Sequence, residues 1–170
     1  MILISHRGNL DKINLDDENK PDYILAAIEL GYDVEIDLWV ENKKLFLGHD
    51  YGEFAIDEKF LKEYEKKLWI HAKNDDALFF LSESKVLYNY FWHDNDKFVI
   101  TSKKFIWPHC KTNKDHFSKN LYVAKKTILV LPEKSNIYDI KQIKNKKYCG
   151  ICSDKIKKYD GNIVHSLTKY

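Results

Sequence analysis

Glu35 and Asp37 stand two residues apart in the run Asp33-Val34-Glu35-Ile36-Asp37-Leu38-Trp39. In a strand that spacing turns both carboxylates to one face. Two acids pointing into a protein interior are costly unless a positive charge lies between them, and a divalent cation would meet that need. A strand with one solvent-facing side needs no cation, and the pair alone fits both readings. His71 and Lys73 repeat the spacing in Leu68-Trp69-Ile70-His71-Ala72-Lys73, on the face opposite Ile70 and Ala72. An imidazole beside an ammonium suits a metal ligand next to an anion holder, although a histidine at a strand end is also a common structural group. His6-Arg7-Gly8 follows the apolar Ile2 to Ser5, and His49-Asp50 closes Leu45-Phe46-Leu47-Gly48. Arginine is a bidentate phosphate donor. Two histidines suit a reaction in which one proton is removed and another delivered, because imidazole titrates near neutral pH.

The elements that must carry these residues are strand-length apolar runs at Ile2 to Ser5, Val34 to Val40, Leu68 to Ala72, Leu87 to Trp92, Phe98 to Thr101, Thr127 to Leu131 and Tyr148 to Cys152. Helical patterns lie between the early ones. Pro21 to Leu30 has a proline in its first turn and Gly31 as a stop, and Asp57 to Tyr64 and Asp75 to Leu81 look similar. Alternating strands and helices predict an α/β fold with a parallel sheet. At 170 residues the chain is one domain, residues 1–170. It is shorter than the roughly 200 residues of the smallest eightfold barrels. A (β/α) barrel here would be a reduced TIM-type one with several helices shortened or missing. Trp92 to Phe98 is too short for a helix, His109 to Asn120 is loop or one helix, and Ile163 to Leu167 is a candidate last strand.

The formal charge of +2, with 44% apolar and 32% charged residues, gives a globular protein without the basic field of a nucleic-acid binder. No run reaches the roughly 20 apolar residues of a membrane span. Met1 to Ser5 reads as a strand rather than a signal peptide, so the expected location is cytoplasmic. Three cysteines, an odd number, favour free thiols over a disulfide framework. Cys149 and Cys152 have zinc spacing that His109 and Cys110 would complete, yet a short apolar run with buried thiols explains them better.

Taken in order, His6-Arg7-Gly8, Glu18-Asn19, Glu35-Ile36-Asp37, Gly48-His49-Asp50 and His71-Ala72-Lys73 resemble the signature of glycerophosphodiester phosphodiesterases, over about the first half of the chain. The wider superfamily includes bacterial phosphatidylinositol phospholipases C and sphingomyelinase D, on β/α barrels. Phe91-Trp92-His93-Asp94 and Thr101-Ser102-Lys103 to Trp107 look like short, helix-poor members associated with surface-polysaccharide gene clusters. The resemblance implies catalytic histidines at His6 and His49, metal ligands at Glu35 and Asp37, and phosphate contacts from Arg7 and Lys73, with Glu18 in its signature. It implies a phosphodiester hydrolase or lyase of lipid metabolism, working through a cyclic phosphate on a glycerophosphodiester-like or surface-glycan-linked substrate. Apart from the resemblance, His93, Asp94 and Asp96 follow a later strand and are candidates to extend the site, although an ordinary polar loop explains them better, and Trp39 and Trp107 are candidates to line the pocket, with core packing or surface exposure as the default for an aromatic.

Three departures stand out. The family's third metal ligand is usually glutamate, and here the position is His71. Mg²⁺ or Ca²⁺, implied by the resemblance, prefers oxygen, whereas Mn²⁺ or Zn²⁺ accepts imidazole. Asp17 stands where the family has proline, and no capping insertion follows His49-Asp50, which predicts an open pocket. The competing reading is a catalytically inactive module that holds a phosphorylated ligand with Arg7 and Lys73. An open sheet edge would favour a homodimer.

Overall fold

A computed structural model describes residues 1–110, 124–137, 139–145 and 147–161. The chain is mixed α/β, and its centre is a parallel sheet. Strands β1 (Ile2–His6), β2 (Asp33–Glu41), β5 (Leu68–Ala72), β6 (Asn89–Phe91), β9 (Ile128–Val130) and β10 (Gly150–Ser153) lie in the spatial order β6-β5-β2-β1-β10-β9. Every neighbouring pair in that row is parallel, so all six carboxyl ends share one edge. Strands β3 (Lys44–Leu47) and β4 (Phe54–Ile56) extend the far half of β2 as an antiparallel meander. Asn42 and Lys43, both at positive φ, make the two-residue turn between β2 and β3. That turn twists in the same sense as the strands it joins.

The helices follow from local signals. In α1 (Pro21–Glu29) the proline occupies the first turn, where its missing N–H costs nothing. Asp57 caps α2 (Glu58–Glu63) by accepting from Phe60 N, and Asn74 caps α3 (Asp75–Glu83) by accepting from Ala77 N. Asn74 also bonds both ways with the Val40 backbone, which fastens the start of α3 to β2.

Alternation along the strands separates two faces. Val34, Ile36, Leu38, Ile70 and Ala72 bury against Ile24, Ala27, Ala77 and Leu81 of the helices. The opposite face forms a second apolar cluster, with Ile4, Trp69, Phe91, Trp107, Ile128, Val130 and Cys152. His6, Glu35, Asp37 and His71 continue that second face toward the carboxyl edge, so the polar group stands on an apolar floor.

The sheet does not close into a ring among the described residues. Strands β7 (Phe98–Ile100) and β8 (Ile106–Pro108) form a separate antiparallel pair, so Phe98 to Thr101 does not join the parallel row beside β6. Two smaller links span the remaining side. Ser102 N donates to Tyr90 O, and a single parallel bridge joins Ile106 to Thr127. Residues 92–105 contain no helix. Helix α4 (Ile140–Asn145) precedes β10. The candidate last strand at Ile163 to Leu167 and most of His109 to Asn120 lie outside the described residues. Among the described residues no helix is long and apolar enough to cross a membrane.

Candidate metal centre

The carboxyl edge of the parallel row carries the chemistry. From β6 across to β10 come His93, His71, the Glu35 and Asp37 pair, His6 and Asp154. His93, His71, Glu35 and His6 border a cavity of about 300 Å³ whose lining also includes Arg7, His49, Lys73, Asp94, Trp107 and His109, while Asp37 and Asp154 are buried outside its lining. A wider groove of about 930 Å³ runs between β3, β4 and α3, but no histidine lines it. The smaller cavity is therefore the one to consider.

Asp37 is fully buried and is the most contacted charge in the molecule's described part. Arg7 Nε lies 2.7 Å from its Oδ2, an ion pair whose angle falls short of a hydrogen bond. Asn19 donates to Oδ2 at 3.0 Å and accepts from Asp37 N at 2.9 Å, so one side chain fixes both ends of the residue. His71 Nδ1 stands 3.0 Å from Oδ1, Lys73 Nζ 3.5 Å from Oδ1 and His49 Nδ1 3.5 Å from Oδ2. Burial pushes the Asp37 carboxyl up, but the histidine contacts and the Arg7 charge outweigh it and hold the pKa well below the usual range. Glu35 goes the other way, raised by burial and by the charge of Asp37. It is 2% exposed, and its Oε2 has no hydrogen-bond partner among the described residues. The nearest cations to Glu35 are imidazoles, His6 Nε2 at 3.7 Å from Oε2 and His71 Nδ1 at 4.0 Å from Oε1.

His71 supplies the deciding detail. Its Nε2 sits 3.0 Å from the His93 carbonyl oxygen, which only accepts, so Nε2 carries the proton. Nδ1 therefore faces two carboxylates and must share a proton or a cation with them. Phe91 stacks on the ring at 5.1 Å and 7°, which fixes its plane. One ligand atom from each of Glu35, Asp37 and His71 lies within 4.8 Å of the others. An orphaned buried carboxylate oxygen and a nitrogen fixed by its other side are what a metal site requires of its residues.

No protein-family model matches this chain, and no curated protein matches it either.

His6, Glu18 and Asp154 form a second group with ligand atoms within the same reach. Its members are already satisfied. Asp154 Oδ1 is 2.6 Å from His6 Nδ1 and accepts from Asn9 Nδ2 at 2.9 Å, while Glu18 accepts from Asn9 at 2.7 Å and from Arg7 Nη1 at 3.0 Å. Ser5 Oγ in turn donates to Asn9 O. Burial works to lower the His6 pKa, but the Asp154 hydrogen bond and the Glu35 charge reverse it, and the net shift is upward. Burial raises the Asp154 pKa, but the His6 contacts, the Asn9 hydrogen bond and the Lys134 charge together bring it below the usual value. Asn9 occupies the gap between the two carboxylates, so this group orients His6 and Arg7.

The backbone around Arg7 is set by what it must reach. Arg7 itself adopts a positive φ of 54°, which is uncommon for a residue with a side chain. Gly8 follows because a Cβ there would meet the Tyr23 ring at 2.6 Å. Gly48 has the same function before His49, since a Cβ would come within 2.1 Å of Tyr51 O. His49 does not end a parallel strand. It follows the antiparallel β3 and reaches back to Asp37 with its side chain 47% exposed.

The described structure brings together His6, Arg7, Glu18, Glu35, Asp37, His49, His71 and Lys73. Trp107 is buried in the floor and His93 lines the cavity, with Asp94 exposed at its rim. Trp39 instead donates its Nε1 to Gly48 O and holds the turn that carries His49. The zinc set of His109, Cys110, Cys149 and Cys152 is not assembled among the described residues. Cys152, Cys149 and Cys110 pack against the apolar floor, and burial pushes the Cys149 thiol up to about 11, away from the thiolate that zinc takes. Asn9 and Asp154 carry no motif of their own. The signal available for Asp154 was its place directly after the last β-branched and apolar run, the same place His6 holds at the end of the first.

Proposed function

We propose that this protein is a divalent-metal-dependent phosphodiesterase, similar in its site to glycerophosphodiester phosphodiesterases, on a sheet that represents a reduced (β/α) barrel. The observation that carries it is the orphaned Glu35 oxygen beside Asp37 and a tautomer-fixed His71, flanked by Arg7 and Lys73 and by an oriented His6. The Ser102 to Tyr90 bond and the Ile106 to Thr127 bridge support the barrel reading, because they lie where further ladders would complete a ring.

Glu35, Asp37 and His71 would hold the metal. Two oxygens and one imidazole favour Mn²⁺ over Mg²⁺ or Ca²⁺. A bound divalent ion supplies charge stabilisation for a phosphoryl oxygen. Arg7 is neutralised in part by Glu18 and Asp37, so it is held in place rather than free to swing, and with Lys73 it favours an anionic group between them. Preorganised cations of this kind stabilise charge that grows in the transition state without reorganisation at that moment. The Asp154 contact places a proton on His6 Nδ1 and leaves Nε2 toward the cavity. Nε2 is then the atom where His6 takes up or gives back a proton, with His49 serving the other end of the scissile bond.

The test is phosphorus NMR on a panel of phosphodiesters with added Mn²⁺, Mg²⁺ or Ca²⁺, beside His6→Ala and His49→Ala. The reading predicts metal-dependent product lost in both variants, with the product's shift reporting whether a cyclic phosphate forms. Phosphorylated ligands that bind without turnover across the panel would overturn it in favour of the inactive binding module.

A further inference from the structure

We infer that the groove between β3, β4 and α3 docks a second copy of this chain, in a two-fold contact where the Phe79 of each copy enters the groove of the other. The inference does not depend on the chemistry of the metal centre. The groove, of about 930 Å³, has Val40, Leu45, Ile56 and Phe80 as apolar lining. Phe79 stands on its wall with 70% of its surface exposed. Ala77 and Leu81 are the residues of α3 that meet the core, so Phe79 projects from another side of the helix, with the exposed Asp76 one turn before it. A phenylalanine beside an apolar groove on the same surface leaves both in water, and covering each with the other is favourable by roughly 25 cal/mol per Å² of apolar area buried.

Three features select a second copy as the occupant. The groove and the side chain that fits it share one face, so a single two-fold rotation satisfies both in both copies. The charges match under the same rotation. Lys43 and Lys44, exposed at the turn into β3, border the groove together with Asp57, Glu58 and Asp76 at the starts of α2 and α3, so the basic turn of one copy meets the acidic helix starts of the other. A partner of a single charge sign would be repelled by one of the two sets. Finally, β4 pairs only with β3 among the described residues, which leaves the sheet edge beside the groove open to a further strand. The turn between β3 and β4 carries His49, so the contact also braces the hairpin that holds it. The lining is smaller than the roughly 20–30 residues that each side of a standard interface supplies, which sets the expected dissociation constant at about 1–100 µM.

The test is sedimentation velocity on the full chain over concentrations that bracket that constant. A reversible equilibrium between monomer and dimer is expected. Phe79→Asp should weaken it about thirtyfold or more, the loss expected of a central aromatic anchor, while the melting temperature of the monomer stays the same because the side chain is exposed. Lys43→Glu with Lys44→Glu should weaken it as well, and adding Asp76→Lys to that variant should restore part of the affinity, a rescue that requires the turn and the start of α3 to meet across the contact. A monomer throughout the range, including the case in which the groove takes an amphipathic peptide of another protein instead, would overturn the inference, and so would a dimer that Phe79→Asp leaves intact.

Discussion

Two buried acidic groups flank Arg7, and they are built differently. On one side Glu18 and Asp154 share Asn9, with His6 and Arg7 filling the remaining positions, so each carboxylate has close polar partners. On the other side Glu35 keeps a buried oxygen with no partner, next to an Asp37 that gathers every nearby cation. Equal counts of acids and histidines thus produce opposite chemistry. A satisfied network holds its members in one geometry, whereas an unsatisfied one has capacity left for a ligand. The first group is an orienting frame and the second is the candidate metal site.

The largest effect should come from removing the charge on which both sides converge. Asp37→Asn leaves Arg7, Lys73 and His71 short of their common anion. Breaking a buried ion pair from one side is expected to cost about 3–5 kcal/mol of stability, read by denaturant unfolding. A loss below 1 kcal/mol would mean that solvent screens this carboxylate despite its burial.

Asp154→Asn tests the orienting side. Activity on whichever phosphodiester is turned over is expected to fall about a hundredfold or more, as for other histidines held by a carboxylate, while metal affinity stays. The same variant has a pH signature. The depressed Asp154 pKa contributes stability that is present above its unfolded value of about 3.9 and is lost as pH falls through the folded value. The raised His6 pKa contributes stability that is complete below about 6.5 and is lost as pH rises through the folded value. Wild type and Asp154→Asn should therefore differ most in melting temperature between about pH 4 and 6.5, converge as pH falls below that window, and differ less as pH rises through the folded His6 value. A difference that keeps growing above neutral pH would rule out this pairing.

The smallest effect has the opposite sign. The environment of Glu35 opposes its ionisation, because burial and the charge of Asp37 both raise its pKa. Glu35→Gln should melt at a higher temperature than the wild type in chelator at neutral pH, and at a lower one once metal is added. Destabilisation in chelator would show that Glu35 has a structural partner after all.

Much of this was legible before the fold. The two-residue spacing placed Glu35 with Asp37 on one face and His71 with Lys73 on another, because period-two alternation is a local property of a strand, while only the family resemblance set His71 beside the two acids. Capping and proline signals likewise located α1, α2 and α3 within one or two residues. What alternation cannot give is partnership at long range. His6 meets Asp154 across 148 residues, and neither Asn9 nor Asp154 belongs to a pattern that local spacing would reveal. The pairing of β7 with β8 was likewise out of reach, since short apolar runs do not state their neighbours. The run Leu45 to Gly48 shows that His49 follows an apolar segment, and only the antiparallel register of β3 shows that it approaches Asp37 from a hairpin.

The most direct measurement is a Mn²⁺ titration followed by electron paramagnetic resonance on wild type, Glu35→Gln and Asp154→Asn. One ion per chain should bind to the wild type and to Asp154→Asn with similar affinity, and binding should be lost in Glu35→Gln. Binding that survives Glu35→Gln, or that disappears in Asp154→Asn instead, would contradict the assignment of the two groups.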